Sequence, residues 1–119
     1  MKLMKCGTMY NQRDLVLIPV PFTNLDSKKV RPAIVLSNNE YNKHTQDILV
    51  VGVTSVPKDE PYSLPLTDEH MEEGKLPLPS RIKCDKIYLL QSKMAVKKYG
   101  KINTKTHHSI QQQIAKLLS

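Results

Sequence analysis

Apolar residues fall into short runs separated by polar segments rich in proline, asparagine and aspartate. Three runs are rich in Val, Ile and Leu and predict β-strands: RDLVLIPV (13–20), RPAIVLS (31–37) and DILVVGVTS (47–55). The last run is continuous and β-branched, which is typical of a central strand. Pro19 and Pro21 cannot donate to a strand ladder, so we expect the first strand to end at an edge or to leave the sheet. The connections 21–30 and 38–45 are polar, and the second has room for one helical turn.

The second half of the chain mixes strands with short helical segments. YSLPL (62–66) predicts a short strand interrupted by Pro65, and SRIKCDKIYLLQ (80–91) predicts one bent strand or two. Between them, Thr67 is a good N-cap followed by acidic residues, and Gly74 is suited to the position just after a helix. We therefore expect one or two helical turns in this segment.

The C-terminal segment predicts an amphipathic helix that starts near Thr104 or Thr106. Its apolar residues recur at the spacing of one helix face: Ile110, Ile114, Leu117 and Leu118.

Strands joined by short connections favour a mostly antiparallel sheet. The expected fold is mainly β with short helices, a small and partly open β-barrel closed by the C-terminal helix. A chain of 119 residues is about one domain's worth. We place this domain at residues 13–119, after a loose N-terminal arm over residues 1–12.

The net charge of +7 is concentrated in one part of the chain. Residues 81–105 contain eight basic residues and one acidic residue, so this segment carries the whole excess and the rest of the chain is neutral. Residues 59–73 contain six acidic residues and no Lys or Arg. A localised cationic segment indicates a polyanionic partner. The alternative is a solvated lysine surface without a specific ligand.

Several kinds of chemistry have no support in the sequence. The four histidines have no Cys or second His at metal-ligand spacing, and we predict them to be solvated surface residues: His44, His70, His107 and His108. The adjacent pair is expected to point to different sides of a helix. The four glycines form no phosphate-binding loop, and there is no serine nucleophile elbow. We expect no metal and no cofactor.

The two cysteines, Cys6 and Cys84, are too few for a disulfide framework, and we predict free thiols. No apolar run approaches the roughly 20 residues of a membrane span. The first residues also lack the apolar core of a signal peptide. These features predict a cytoplasmic protein with no membrane association.

Strand pairing brings two polar residues together. If 31–37 and 47–55 pair as an antiparallel hairpin with Ser37 near Ile48, Arg31 lies opposite Thr54. A guanidinium and a hydroxyl at one rim of a sheet are suited to holding a phosphate. Spacing alone leaves open a surface arginine paired with Asp26 or Asp47, and a threonine that is an ordinary strand residue.

The run DLVLIPVPFTNLDSKKVRPAIVLS (14–37) closely resembles the opening of the MazF/PemK/Kid family of toxins from toxin–antitoxin modules. DILVVGVTS (47–55) resembles the family's next strand, which ends in a threonine. RIKCDKIYLL (81–90) resembles a later strand that carries Arg-Cys-Asp in PemK and Kid proteins. The terminal amphipathic helix fits as well, so the resemblance covers about residues 13–118.

The resemblance implies an SH3-like barrel that works as a homodimer. It implies a metal-independent, sequence-specific endoribonuclease that cleaves single-stranded mRNA and is silenced by an acidic antitoxin. Carried over by position, the implied catalytic residues are Arg31, Thr54, Lys83 and Asp85, with Asp85 as a candidate base. The implied RNA-binding residues flank them: Lys28, Lys29, Arg81 and Lys86.

The sequence departs from the family pattern at three places. Arg13 stands where most members have glycine, and TNLDSKK replaces the usual Gly-Ser-Glu-Gln loop. Lys83 replaces an arginine, which keeps the charge but loses the bidentate fork. Two alternatives therefore stay open: a CcdB-type poison of DNA gyrase with the same architecture, and a nucleic-acid-binding module without turnover.

Overall fold

The computed structural model describes residues 9–19 and 29–119. Its strands are β1 (Asp14–Pro19), β2 (Val30–Val35), β3 (Asp47–Thr54), β4 (Ser63–Leu66), β5 (Met71–Glu73), β6 (Ser80–Gln91) and β7 (Lys97–Ile102). The helices are α1 (Asn39–His44) and α2 (Thr104–Leu118), with single 3₁₀ turns at Asp68–His70 and Ser92–Met94. None of the helices in these two ranges is long and apolar enough to cross a membrane.

The described strands form one antiparallel sheet in the order β4-β6-β3-β2-β1-β7-β5. The sheet curls into a half-barrel, and α2 packs against β6. The predicted mainly β, SH3-like, partly open barrel with a closing C-terminal helix is confirmed. The continuous run at 47–55 is β3, which lies inside the sheet between β2 and β6, as predicted.

The central strands are apolar along most of their length because they bury both faces there. Alternate residues of one strand belong to two different core clusters, as Leu15 and Val16 show in β1. The first cluster lies under α2 and contains Ile110, whereas the second includes Tyr10 and Ala95. These strands therefore lack the alternation of apolar and polar residues that is typical of a strand with one exposed face.

The acidic segment after Thr67 contains one helical turn with Thr67 as its N-cap, the shorter of the two predicted lengths, but a strand and not a helix precedes Gly74. This turn is a 3₁₀ turn at Asp68–His70. It is closed by a hydrogen bond from the Thr67 N–H to Nδ1 of His70, at 2.9 Å. Residues Met71–Glu73 then pair with β7, and the chain turns at Gly74 with a φ of 80°. Pairing with a distant strand prevails over the local helical preference in this segment.

Strand β7 has no counterpart among the sequence predictions. Its residues KKYGKI are mostly polar, and only Gly100 and Ile102 are buried. It forms because β1 and β5 pair with its two edges. These partners are remote in sequence, so no local pattern indicates the strand.

Helix α2 starts at Thr104, one of the two predicted starting points. The side chain of Asn103 caps it by accepting from the Thr106 N–H at 2.8 Å. His107 and His108 do point to different sides, but the prediction that His107 is solvated is wrong. His107 lies three residues before the buried Ile110, on the packed face of the helix, and only 7% of the residue is exposed.

The last helical turn carries less of the core than the sequence predicts. Ile110 is fully buried and Ile114 is partly buried against the first cluster, whereas Leu117 and Leu118 are exposed. The packed face of α2 therefore ends before the helix does.

Arg13 has a φ of 80°, in the left-handed region that favours glycine. This explains why glycine suits the position before β1. The Arg13 guanidinium donates to Glu72 at 2.7 Å and to the Ile102 carbonyl at 2.8 Å. These contacts tie β1 to β5 and β7 and offset a backbone cost of roughly 1–2 kcal/mol.

Candidate active site at the rim of the sheet

The site lies where the start of β2 and the end of β3 meet the first half of β6. Ala33 pairs with Gly52 and Ile34 pairs with Val51, the register assumed from the sequence. Continuing that register by two residues sets Arg31 opposite Thr54. Asp47 lies at the other end of β3, opposite Gln91, so the suggested pairing with Arg31 is wrong.

A cavity of about 190 Å³, open to solvent, lies between these strands. Its lining combines an apolar floor with a cationic rim and two residues that carry hydroxyls, Thr54 and Tyr88. The full set is Ile18, Arg31, Pro32, Gly52, Val53, Thr54, Lys83, Lys86 and Tyr88. Three of the four candidate catalytic residues, Arg31, Thr54 and Lys83, therefore share one cavity. Each comes from a different strand.

The Thr54 hydroxyl oxygen accepts from the N–H of Val56 at 3.1 Å. This bond fixes the side chain and uses an oxygen lone pair. The hydroxyl proton can therefore be donated to a phosphate oxygen in the cavity.

Asp85 lies on a bulge in β6 that begins just after Lys83. Gly52 lies opposite Lys83 and Val51 opposite Ile87, so residues 84–86 form the extra length on β6. The bulge leaves Lys86 on the cavity, while Asp85 is exposed and does not line it. Asp85, which the resemblance matches to a catalytic aspartate, therefore lies beside the cavity.

Cys84, between these two charged residues, points into the first core cluster. Its backbone N–H donates to the carbonyl of Tyr62 at 2.9 Å. Burial raises the pKa of the thiol to about 11, with a smaller contribution from Asp85. The side chain is therefore a neutral thiol in the core at neutral pH.

Gly52 keeps the floor of the cavity open. A Cβ added there would lie 3.5 Å from the Lys86 Cβ and 3.8 Å from the Tyr88 ring, which are ordinary contacts. Glycine is therefore required by neither backbone strain nor a clash. Its effect is to leave space between β3 and the bulge of β6.

Lys83 is held by a carboxylate that the sequence analysis did not single out. Its ammonium forms a hydrogen-bonded ion pair with Glu60, in the loop between β3 and β4. The hydrogen bond to Glu60 is the main factor that raises the pKa of Lys83, and the same bond lowers the pKa of Glu60. Lys83 is thus a charged donor at neutral pH.

Arg81 and the remaining RNA-binding candidates differ in position. Arg81 lies opposite Thr54 in the ladder, and its guanidinium is 3.1 Å from Asp59. Lys29 is exposed ahead of β2, and Lys28 lies outside the described residues. The one signal for Asp59 and Glu60 in the sequence was their place at the head of the acidic stretch 59–73.

No group of three or more His, Cys, Asp or Glu side chains within 9–19 and 29–119 could hold a metal ion. The chemistry of the described cavity is that of cationic and hydroxyl donors. Such donors fit a phosphate group.

A curled antiparallel sheet closed by a helix is a small β-barrel. The cationic rim of the cavity at its strand ends is suited to binding a polyanion. The chain belongs to the PemK-like, MazF-like toxins of type II toxin–antitoxin systems, whose sequence model matches residues 11–118. No curated protein matches the sequence.

Solved structures share the fold at low sequence identity. A mycobacterial endoribonuclease in complex with its cognate antitoxin has a TM-score of 0.74 and 19% identity, over 92% of this chain and 94% of its own. A MazE–MazF structure from Deinococcus radiodurans has a TM-score of 0.74 and 20% identity, over 95% and 98%. The Mycobacterium tuberculosis toxin MazF-mt6 has a TM-score of 0.71 and 17% identity, over 89% and 96%.

Proposed function

We propose that this protein is a metal-independent endoribonuclease that cleaves single-stranded mRNA at specific sequences. The observation that carries the proposal is the convergence of Arg31, Thr54 and Lys83 in one cavity. The similarity in fold to a mycobacterial endoribonuclease supports it. Family membership supports a role as the toxin of a toxin–antitoxin module.

RNA cleavage without metal uses the ribose 2′-hydroxyl as the nucleophile. Its oxygen attacks the adjacent phosphorus, and the bond from phosphorus to the 5′-oxygen breaks. The products are a 2′,3′-cyclic phosphate and a 5′-hydroxyl. One proton must leave the 2′-oxygen and another must reach the departing 5′-oxygen.

Arg31 and Lys83 are the groups that can stabilise the negative charge on the phosphorane. Both are cations on the cavity, and Thr54 adds a neutral donor between the strand ends. A guanidinium is too weak an acid for ordinary proton transfer because its pKa exceeds about 12. We therefore assign Arg31 to phosphate binding and charge stabilisation.

Asp85 remains our candidate for the base. It lies on the bulge next to Lys83, and its negative charge contributes to the raised pKa of Lys83. Because Asp85 is beside the cavity, the ribose must lie over the bulge for the proton to reach it.

We also propose that the toxin works as a homodimer with an acidic antitoxin as its partner. The net charge of +7 favours such a partner. The Deinococcus and mycobacterial proteins of the same fold were solved with MazE and with a cognate antitoxin.

The test is to incubate the purified protein with a long single-stranded RNA in the presence of EDTA and to map the new ends. We expect cuts at one short recurring sequence, with 5′-hydroxyl ends. RNA that is bound but uncut would contradict an enzymatic role and favour the non-catalytic module. A parallel supercoiling assay with DNA gyrase tests the CcdB-type alternative.

A further inference from the structure

Two basic residues form a row along β6 at the edge of the cavity. Arg81 and Lys83 are two apart in a strand, so their side chains leave the same face, about 6–7 Å apart along it. Lys83 lines the cavity, and Arg81 faces the Thr54 end of β3. Their side chains are only 17% and 21% exposed, which restricts them to this row.

Each of these cations is already engaged by a carboxylate from one loop. Asp59 Oδ1 is 3.1 Å from an Arg81 nitrogen, and Glu60 is hydrogen-bonded to Lys83. The Asp59 side chain faces solvent, with 89% of it exposed, and the Glu60 side chain is partly exposed at 34%.

The backbone of the loop is fixed independently of its carboxylates. The Ser63 hydroxyl donates to the Glu60 carbonyl at 2.7 Å and accepts from the Glu60 N–H at 3.2 Å. The same hydroxyl accepts from the Arg81 guanidinium at 2.9 Å and 3.2 Å. The backbone at Glu60 therefore has an anchor that does not involve its carboxylate.

We propose that Asp59 and Glu60 occupy the places of two neighbouring RNA phosphates, and that each carboxylate is exchanged for a phosphate when RNA binds. The inference rests on the proposed function and concerns how the same site binds its substrate. Arg81 and Lys83 would then form a two-phosphate subsite leading into the cavity.

Three physical points support this exchange. Carboxylate and phosphate oxygens are equivalent acceptors for a guanidinium or an ammonium. The spacing of alternate residues in a strand can be matched by consecutive phosphates of an extended single strand. Partly exposed ion pairs are also weak, so an incoming polyanion can replace them.

The consequence is that Asp59 and Glu60 lower the affinity for RNA. Removing their charges frees Arg81 and Lys83, together with the exposed Lys58 that lies 3.7 Å from Glu60, without changing the cavity. A purely structural role for the two pairs has the opposite consequence, since loss of either carboxylate would then loosen Arg81 or Lys83 and weaken binding.

The experiment measures binding of a 2′-O-methylated RNA, which cannot be cleaved, by fluorescence anisotropy. The test protein is Asp59→Asn/Glu60→Gln. The matched control is Glu40→Gln/Glu69→Gln, which removes the same charge from side chains that are 79% and 80% exposed elsewhere. Circular dichroism checks folding, and the single variant Glu60→Gln repeats the test.

We expect the test protein to bind RNA about tenfold more tightly at low salt, because RNA no longer has to break two weak ion pairs when it binds. The gain should shrink as salt is added, and the control should stay within about twofold of wild type. In an Arg81→Gln/Lys83→Gln background most of the gain should vanish. Of the cations paired with these two carboxylates, the exposed Lys58, 3.7 Å from Glu60, is then left to be freed.

Unchanged or weaker binding by the folded test protein would overturn the exchange. So would a gain that persists undiminished without Arg81 and Lys83, because it would then be a general charge effect. Cleavage of RNA by wild type in parallel separates this failure from failure of the proposed function.

Discussion

Arg31 and Thr54 differ in what each can supply to a phosphate. The guanidinium offers a charged, planar fork, whereas the hydroxyl offers one neutral donor. Because both line the same cavity, their substitutions can be compared on a single substrate.

We predict that Thr54→Ala lowers the cleavage rate less than Arg31→Lys does. Lysine keeps the charge at position 31 but cannot hold two phosphate oxygens in a fixed plane. The measurement is the initial rate on one defined RNA at saturating concentration. A Thr54→Ala enzyme slower than Arg31→Lys would show that the hydroxyl has the larger role.

By the resemblance, Lys83 stands where PemK and Kid proteins have an arginine. Its ammonium is hydrogen-bonded to Glu60, and its side chain also lines the cavity. We predict that Lys83→Arg raises the cleavage rate several-fold, because a guanidinium can bind a carboxylate and a phosphate at once. Rates on the same RNA decide the matter, with Lys86→Arg as the matched control. An equal or lower rate in a folded Lys83→Arg protein would show that the site is built for lysine.

At the scale of the elements, helix α2 carries a titratable group into the core. His107 is buried, and neither of its ring nitrogens has a hydrogen-bond partner among the described residues. Burial lowers the pKa of His107 below its usual 6.5, and the positive charges of Arg13 and His108 lower it further. The folded protein therefore binds a proton at this site less readily than the unfolded chain does.

Folding stability should consequently fall as pH drops through the usual histidine pKa. Above that pH the imidazole is neutral in both states; just below it, only the unfolded chain gains a proton, which favours unfolding. We predict a lower urea midpoint at pH 5.5 than at pH 7.5, and a smaller difference in His107→Leu. The same difference in both proteins would assign the effect to other groups.

Elements that follow from the sequence are those with a local signal. The apolar runs locate β1, β2 and β3, and the hairpin between β2 and β3 fixes the register that brings Arg31 to Thr54. Helix α2 is also evident, since Ile110 and Ile114 recur at the spacing of one helix face. A hairpin and an amphipathic helix need no distant partner to be recognised.

Elements without a local signal depend on contacts between remote residues. Met71 becomes part of β5 by pairing with Ile102, although the sequence around it favours a helix. The bulge that moves Asp85 to the side of the cavity depends on how β6 lies on β3. Glu60 reaches Lys83 only because the loop after β3 folds over β6.

At the scale of the whole molecule, the start of the cationic segment meets two carboxylates of the loop between β3 and β4 at the cavity, whereas the lysines of β7 lie elsewhere in the sheet. The charge of +7 makes association with RNA sensitive to salt, because each neutralised phosphate releases counterions. The loop between β3 and β4 neutralises two of the cations in the resting protein. We therefore propose that the cavity and the cations beside it on β6 form one RNA-binding surface.

The most direct test of an endoribonuclease centred on this cavity is the initial cleavage rate of one defined single-stranded RNA in EDTA, for wild type and Arg31→Ala. Arg31 lies at the rim and is exposed, so its removal should leave the fold intact by circular dichroism. We predict that wild type cleaves and that Arg31→Ala is slower by about 100- to 1,000-fold, the usual effect of removing a transition-state donor. A folded Arg31→Ala protein that cleaves at the wild-type rate would contradict the assignment of this cavity as the active site.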